Sequence, residues 1–378
     1  MNTKQFRTKQ EIVQQTNPKG KDFVIGIDIG YSGTKVFHEN GCFCFPSYAK
    51  RMDESLMDIP NEKDIMYRDE TTKEVYMVGQ NAQNMIDSSN TNDTDGELFS
   101  RRRYTDKRFK ILYYVALGMA TMSKNDNRSI VIQTGLPTSY VDGDTNAIKK
   151  AFSTVPKFSL KIGSKPWRTF TLQVSAENVF VMEQPKGALY SFLIGKDGKF
   201  VSNAKQILCS NALVMDIGFG TFDFYGIKNR AAVCKETVDD LGMKQVLHHT
   251  SKKILKEMNE DIRVAALQHN LETGTVVCIN EDDMKSEEKP LSPLLSDASK
   301  TVMKEAMDKA KSVTNSFRDY QYIIVDGGTG EAWFEEIKQW LSGMKTLQVF
   351  PCNVNDHLPF IYANARGYYM LRYSMNKR

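Results

Sequence analysis

One pattern occurs twice in this chain, and it limits the folds open to it. Ile25-Gly26-Ile27-Asp28-Ile29-Gly30-Tyr31-Ser32-Gly33-Thr34-Lys35 is matched by Leu213-Val214-Met215-Asp216-Ile217-Gly218-Phe219-Gly220-Thr221-Phe222-Asp223. Each is an apolar run, then Asp-Ile-Gly-aromatic, then a turn of small residues, then a Thr followed at or near it by a charged side chain. A near-continuous apolar run of this length reads as a strand buried on both faces. The small residues after it read as a tight turn into a second strand. Taken alone, either copy is satisfied by an ordinary hairpin turn. Two matched copies point to an internal duplication, and so to two related units facing each other.

The chemistry suited to such turns is phosphate binding. Glycines allow positive φ and keep side chains away, so backbone N–H groups can approach an anion. Ser32, Thr34 and Thr221 add hydroxyl donors, and Lys35 adds a point charge for a phosphate. Asp28 and Asp216, at strand ends, are placed to hold Mg²⁺ through its water shell. The pattern is neither GxGxxG nor GxxxxGK[ST]. A third segment, Tyr322-Ile323-Ile324-Val325-Asp326-Gly327-Gly328-Thr329-Gly330-Glu331, reads as strand, glycine turn and helix. A ligand there meets a helix N-terminus beyond the carboxyl end of a strand.

These three motifs, in this order, resemble those of the actin, heat-shock chaperone and sugar kinase superfamily, from Phe23 to Tyr373. Within it the chain looks most like the ParM-type plasmid-segregation actins of bacteria. Val179-Phe180-Val181-Met182-Glu183-Gln184-Pro185-Lys186-Gly187-Ala188 resembles the family segment in which a Glu precedes a Pro and a small-residue helix. Val131-Ile132-Gln133-Thr134-Gly135-Leu136-Pro137 resembles the family strand ending in Leu-Pro. The resemblance implies an α/β, actin-like (ribonuclease H-like) fold, with duplicated domains and mixed central sheets around a nucleotide cleft. It implies an ATPase in which Glu183 activates the attacking water and Asp216 assists it or the metal. Asp28 and Asp216 would hold Mg²⁺. Gly30, Tyr31, Ser32, Gly33, Thr34, Lys35, Gly218, Phe219, Gly220 and Thr221 would wrap the phosphates. Gly327, Gly328, Thr329 and Gly330 would cradle the nucleoside, with Asp240 and Gly242 near the ribose. The nucleotide is ATP or GTP, since a backbone cradle discriminates purines poorly. Asp223 has two readings, a metal ligand and a partner for a backbone turn.

The same resemblance implies a homopolymeric filament, and a DNA-binding adaptor on a plasmid centromere rather than direct sequence-specific DNA binding. The expected division is a mobile extension over 1–21, a first domain over 22–194 plus 348–378 and a second over 212–347. Small subdomains are expected near 40–108 and 243–300. A kinase or phosphatase of the same fold is the alternative, and it would need a substrate pocket for which no extra motif is visible. A chaperone would need an added peptide-binding domain.

Composition agrees with a globular chain: of 378 residues, 41% are hydrophobic and 25% charged. The most apolar stretch, Ile111 to Met122, is shorter than the ~18–20 residues a membrane span needs, and the polar N-terminus has no broad apolar face for a membrane surface. Six cysteines without a CxxC pair suit a reducing cytoplasm, which the resemblance implies is bacterial. A net charge of +4 is too small to imply nucleic acid. The charge is local instead: Ser100 to Lys110 is strongly basic with interleaved aromatics. That run reads as a solvated helix start, a contact for an acidic strip on another subunit, or a nucleic-acid contact.

Along the rest of the chain the pattern predicts a hairpin over Asp64–Gly79, a loop over Asp87–Glu97 and helices over Phe109–Met122 and Pro185–Leu193. It predicts a long helix after Asp240-Leu241-Gly242 to Met258, a surface loop over Asn280–Pro293, and helices over Ala298–Phe317, Glu331–Leu341 and Leu358–Tyr373.

Overall fold

A computed structural model describes residues 2–52, 59, 61–85 and 101–376. The strands of the first half are β1 (Glu11–Gln14), β2 (Phe23–Ile29), β3 (Gly33–His38), β4 (Gly41–Pro46), β5 (Ala49–Met52), β6 (Ile65–Asp69) and β7 (Val75–Val78). Helices α1 (Gln80–Asn84) and α2 (Lys107–Thr121) follow, then β8 (Ile130–Leu136), α3 (Val141–Ser153), β9 (Phe158–Ile162), β10 (Arg168–Phe170), β11 (Val179–Glu183) and α4 (Gln184–Leu193). The second half runs α5 (Ala204–Cys209), β12 (Asn211–Ile217), β13 (Thr221–Lys228), β14 (Ala231–Asp239), α6 (Met243–Met258), α7 (Leu267–Thr273), β15 (Thr275–Asn280), β16 (Lys285–Pro290), α8 (Ser292–Val313), β17 (Tyr322–Asp326), α9 (Gly328–Leu341), β18 (Gln348–Pro351) and α10 (Ala363–Asn376).

The sequence repeat is a repeat of topology. One sheet has the order β1-β4-β3-β2-β8-β11 and another β14-β13-β12-β17-β18. With β1 set aside, each is three antiparallel strands followed by two added in parallel. Two Asp-Ile-Gly hairpins therefore occupy equivalent places in two mixed sheets.

Alternation along β2 explains how Asp28 is aimed. Phe23, Ile25, Ile27 and Ile29 belong to the cluster that includes Leu112, Val115 and Ala116 of α2. Val24, on the other face, packs with Tyr369 and Met370 of α10, and successive side chains of a strand point to opposite faces. Asp28 falls on this second face, at the strand end. The helix comes very near it: a Cβ on Gly26 would lie 2.1 Å from the Ala365 carbonyl oxygen. Helix α10 also crosses α4 in close contact, where a Cβ on Gly367 would lie 1.7 Å from the Gly187 oxygen.

Four expectations are corrected. Residues 2–21 are not a mobile extension. Phe6 is 4% exposed within the second half's core, and β1 pairs along β4 from Glu11↔Cys44 to Gln14↔Gly41. The physical reason is that β4 would otherwise present an unpaired edge. Second, Asn280–Pro293 is mostly not loop: β15 and β16 form an antiparallel hairpin, exposed enough to carry its charges. Pro293 stands in the first turn of α8, where its missing N–H costs nothing, so that helix begins at Ser292 rather than Ala298. Third, 348–351 does not join the first half, because β18 pairs with β17. Fourth, the last helix starts at Ala363, after Pro359 and a short 3-10 turn over Phe360–Tyr362. The loop expected over Asp87–Glu97 lies outside the described residues. Among the described residues no helix is long and apolar enough to cross a membrane.

Candidate functional site

The two hairpins have the same backbone closure. Gly30 N–H donates to the Gly33 oxygen at 2.9 Å, and Gly218 N–H donates to the Thr221 oxygen at 2.9 Å. In register, Asp28 faces Lys35 across one pair of strands and Asp216 faces Asp223 across the other. Both turns line one cavity, which also takes in the Gly327–Gly328 turn and holds about 1140 Å³ of space counting its open mouth.

Four carboxylates line this cavity, Asp28, Asp216, Asp326 and Glu331, and the three aspartates stand at strand ends. Asp28 is held from both sides, by Lys35 Nζ at 3.3 Å from Oδ2 and by Gln184 Nε2 donating to Oδ1 at 2.9 Å. Asp216 accepts from Asn364 Nδ2 at 2.8 Å. Burial raises its pKa well above the carboxylate range, and the negative charges of Asp326 and Asp223 push the same way. Asp326 sits beside Asp216 in register on the adjacent strand. Burial lifts it too; its two oxygens are buried without a well-formed hydrogen bond, with the Cys352 thiol and Gly327 N–H nearby. A low-dielectric site with clustered carboxylates favours a bound cation.

The third turn is shaped by its glycine. Gly327 has φ +85°, and a Cβ there would lie 2.3 Å from the Ile217 oxygen. The turn thus packs directly on the second hairpin. Thr329 Oγ1 fastens it further by donating to the Gly218 oxygen at 2.7 Å.

Of the residues expected at the site, the cavity collects Asp28, Gly30, Tyr31, Ser32, Gly33, Lys35, Asp216, Gly218, Phe219, Gly220, Thr221, Gly327, Gly328 and Thr329. Five others lie elsewhere. Thr34 is fully buried and bonds the Ser47 hydroxyl at 3.1 Å, so it braces the turn from behind. Gly330 faces Val325 and Ile217 inside the fold. Asp240 and Gly242 support the second hairpin: Asp240 N–H donates to the Gly220 oxygen at 3.0 Å, and a Cβ on Gly242 would lie 2.3 Å from the Gly218 oxygen.

Glu183 is the fifth. It is the last residue of β11, and it pairs with Lys235 Nζ at 2.5 Å and Lys186 Nζ at 3.7 Å. Burial would raise its pKa, but the Lys235 hydrogen bond and the Lys186 charge outweigh it and leave the group below its ordinary value. A carboxylate held between two ammonium groups is a weak base. Its neighbour Gln184 is the one that lines the cavity. The open reading of Asp223 resolves toward a backbone partner: it accepts from Thr138 N–H at 3.0 Å and Thr237 Oγ1 at 2.5 Å, and so joins the two halves.

Sequence reasoning missed Gln184, Asn364, Asp326, Arg103 and residues 5–9 as cavity residues. Arg103 comes from the basic run. It is 4% exposed, donates to the Ile29 oxygen at 2.8 Å, and lays its guanidinium 4.3 Å from the Tyr31 ring centre. Its Nε is buried and has no hydrogen bond. Other charges of that run are also used internally: Lys107 pairs with Glu74, and Arg108 with Asp106, which caps α2. The side chains of Arg101 and Arg102 lie outside the described residues.

The donor set fits a phosphate chain with a hard cation. Glycine turns leave backbone N–H groups open, Lys35 and Arg103 bring positive charge, and the metal-facing groups are all oxygen. Among the described residues no three His, Cys, Asp or Glu side chains converge closely enough to cage an ion. An ion held by one or two carboxylates, phosphates and water is the arrangement Mg²⁺ accepts.

Comparison with known proteins agrees with the fold. Residues 26–187 match the family model described as the actin like proteins N terminal domain. No curated protein sequence matches the chain. Among solved structures, the ParM of a 15-stranded filament from Clostridium botulinum is similar with a TM-score of 0.70 and 22% identity, over 93% of this chain and 98% of that one. The archaeal actin homologue Ta0583 in complex with ADP is similar with a TM-score of 0.59 and 18% identity, over 93% of this chain and 99% of that one. The actin-like protein Alp7A is similar with a TM-score of 0.65 and 14% identity, over 94% and 96%.

Proposed function

We propose that this chain, which has the actin-like fold, is a filament-forming nucleoside triphosphatase that binds ATP or GTP between its two duplicated sheets. One observation carries the reading. Two hairpins with identical backbone closure, from equivalent places in two sheets, meet on one cavity with their strand-end carboxylates inside it.

In this reading the phosphates lie between the Ser32–Gly33 and Gly220–Thr221 turns, and the nucleoside lies toward Gly327–Gly328. Backbone N–H groups, Lys35 and Arg103 stabilise negative charge that builds on the terminal phosphoryl group. Lys35 then exchanges its Asp28 partner for phosphate oxygens. Gln184, fixed by Asp28, orients the attacking water with its carboxamide, which positions a nucleophile without needing to take its proton. Asp216, steadied by Asn364, is the nearby group able to receive that proton. Asp28 and Asp216 would hold Mg²⁺ through its water shell, and the ion would supply charge neutralisation to the phosphates.

Polar contacts that join the halves across the cleft include Asp223 with Thr138, Ser139 with Thr237 and Glu183 with Lys235. Binding on both hairpins favours closure, and closure changes any surface shared by both halves. Head-to-tail contacts that do not close on themselves build an open helix. We extend the reading to plasmid DNA segregation in a bacterial cytoplasm, with a DNA-bound adaptor protein as the filament's partner. The fold shared with the botulinum ParM filament supports that extension.

The test is sedimentation together with phosphate release, using ATP and GTP with Mg²⁺. Pelletable polymer that appears with triphosphate and declines as phosphate is released is the expected result. Phosphate release without polymer at high protein concentration would instead favour a non-polymerising enzyme of the sugar kinase kind.

A further inference from the structure

The duplication reaches beyond the two hairpins. Gln184-Pro185-Lys186-Gly187 opens α4, and Asn364-Ala365-Arg366-Gly367 stands near the start of α10. Each is an amide side chain, then a basic residue two places on and a glycine three places on. The match is too short to stand out in a sequence, and the packing gives it meaning. The glycines meet where the helices cross: a Cβ on Gly187 would lie 2.8 Å from the Asn364 oxygen, and one on Gly367 would lie 1.7 Å from the Gly187 oxygen.

The two helices exchange sides. Ala188, Leu189 and Phe192 of α4 are buried in the core of the second half, yet Gln184 at its start reaches Asp28 of the first sheet, Nε2 to Oδ1 at 2.9 Å. Ala365, Tyr369 and Met370 of α10 pack with Val24 and Phe37 of the first sheet, yet Asn364 reaches Asp216 of the second, Nδ2 to Oδ2 at 2.8 Å. Each of these strand-end aspartates thus receives one amide N–H from the helix packed on the other sheet, and both amides line the cavity. Asn364, 6% exposed, is also held at its other end, where Ala188 N–H donates to its Oδ1 at 3.0 Å. A backbone donor on the amide oxygen leaves the NH₂ group for Asp216, which settles how the amide is turned.

We propose that Asn364 is the second half's counterpart of Gln184, a positioning residue that sets Asp216 toward the Mg²⁺ and phosphates of a bound nucleotide. The inference rests on the reading of the cavity as a nucleotide site. Ala188 stands one turn beyond Gln184, so α4 fixes both amides, and through them both aspartates, in one frame. Asn364 takes Oδ2 of Asp216 and leaves Oδ1 turned to the third glycine turn, where a Cβ on Gly327 would lie 2.8 Å from it. Partners that orient a carboxylate for a metal contribute about 10- to 100-fold in metal affinity.

The experiment is calorimetric titration with ADP and with GDP, each with and without Mg²⁺. It uses the full chain, Asn364→Ala, Asn364→Leu, Asp216→Ala and the double variant Asn364→Ala with Asp216→Ala, and circular dichroism checks that each is folded. The quantity read is the ratio of nucleotide affinities with and without the ion. Leucine nearly matches asparagine in shape and keeps the helix crossing filled, but it donates nothing to Asp216. Both Asn364 variants are expected to lower the ratio about tenfold, with metal-free affinity kept within about twofold. In the Asp216→Ala chain, adding Asn364→Ala should leave the ratio within about twofold, because an effect exerted through Asp216 disappears with it. An unchanged ratio in a folded Asn364 variant overturns the inference. So does a loss that Asn364→Leu restores, which marks packing, or an equal loss with and without Asp216, which marks another route. A wild-type chain whose affinity does not respond to Mg²⁺ overturns it as well. A wild-type chain that binds neither nucleotide overturns the nucleotide reading itself, and this inference with it.

Discussion

Glu183 and Gln184 are adjacent, yet the structure gives them opposite duties, and substitution separates them. Glu183→Gln removes a charge that pairs with Lys235 and Lys186 at 2.5 and 3.7 Å. Those lysine side chains are 49% and 33% exposed, so the pairing is screened and holds no more than about 1 kcal/mol. In a half of this size, that lowers the melting temperature by roughly 2–4 °C. Turnover should stay within about threefold, because the group does not face the cavity. Gln184→Ala has the reverse signature. It removes the carboxamide that reaches from Asp28 into the cavity. A group that positions or activates a nucleophile contributes on the order of 10²–10⁴ in rate, so kcat should fall by at least about a hundredfold. KM should change little, since the water is not part of the bound nucleotide. Gln184→Glu tests the same position: it puts another negative charge beside Asp28 and should bind nucleotide less tightly. The assay is steady-state phosphate release with saturating ATP and Mg²⁺, alongside thermal unfolding of each variant. Loss of turnover in Glu183→Gln with normal turnover in Gln184→Ala would refute the assignment and return the catalytic role to Glu183.

Three other perturbations follow from the same geometry. Arg103→Ala removes a buried cation beside the Tyr31 turn; charge-assisted hydrogen bonds contribute roughly 1.5–3 kcal/mol, so kcat/KM for ATP should fall about 10- to 150-fold. Arg103→Lys should not restore it, because a lysine loses the planar stack, and kinetics of the two variants decide this. Burial raises the Asp223 carboxyl from 3.8 to about 6. Its folded value exceeds its unfolded value, so its contribution to stability is complete below pH 4 and is lost as pH rises through 6, a change of roughly 3 kcal/mol. In Asp223→Asn the urea midpoint should lose this slope between pH 4 and 6, while an amide oxygen still accepts from Thr138; parallel pH profiles in the two proteins would contradict the argument. Gly367→Ala would put a Cβ 1.7 Å from the Gly187 oxygen. Moving α10 away from α4 should cost at least about 2 kcal/mol by chemical denaturation, even though alanine is the better helix former.

How much of this was legible depends on the kind of signal. The two hairpins and the glycine turn were legible because apolar runs ending in Gly-rich turns are local patterns, and the duplication made one copy evidence for the other. Asn364 carried no local signal, and it enters the cavity because α10 crosses the first sheet at Gly26. Asp326 stood in the third motif at a strand end, but its place next to Asp216 follows from β17 lying beside β12, a fact of packing between distant segments. The basic run was visible, but net charge cannot say which of several arginines turns inward. That depends on a stack with Tyr31 and a carbonyl at Ile29.

The placement of Glu183 is the most instructive, because the cavity takes in its neighbour Gln184 instead. Glu183 ends β11 and Gln184 begins α4, so the backbone changes course between them and an assignment one residue out changes the surroundings completely. A glutamate beside a glutamine at a strand end offers two chemically plausible candidates, and the composition of the segment does not choose between them. The choice is made by Lys235 on β14, which draws the glutamate to one side, and by Asp28 on β2, which receives the glutamine on the other. Both are far away in sequence. The N-terminal residues fail to show in the sequence for a similar reason: one phenylalanine and a few polar side chains look like a tail until the groove that accepts Phe6 and the open edge of β4 exist. A short segment with little core of its own is ordered here by what it fits between. The same placement, with Phe6 buried in the core, gives residues 5–9 their contact with the cavity.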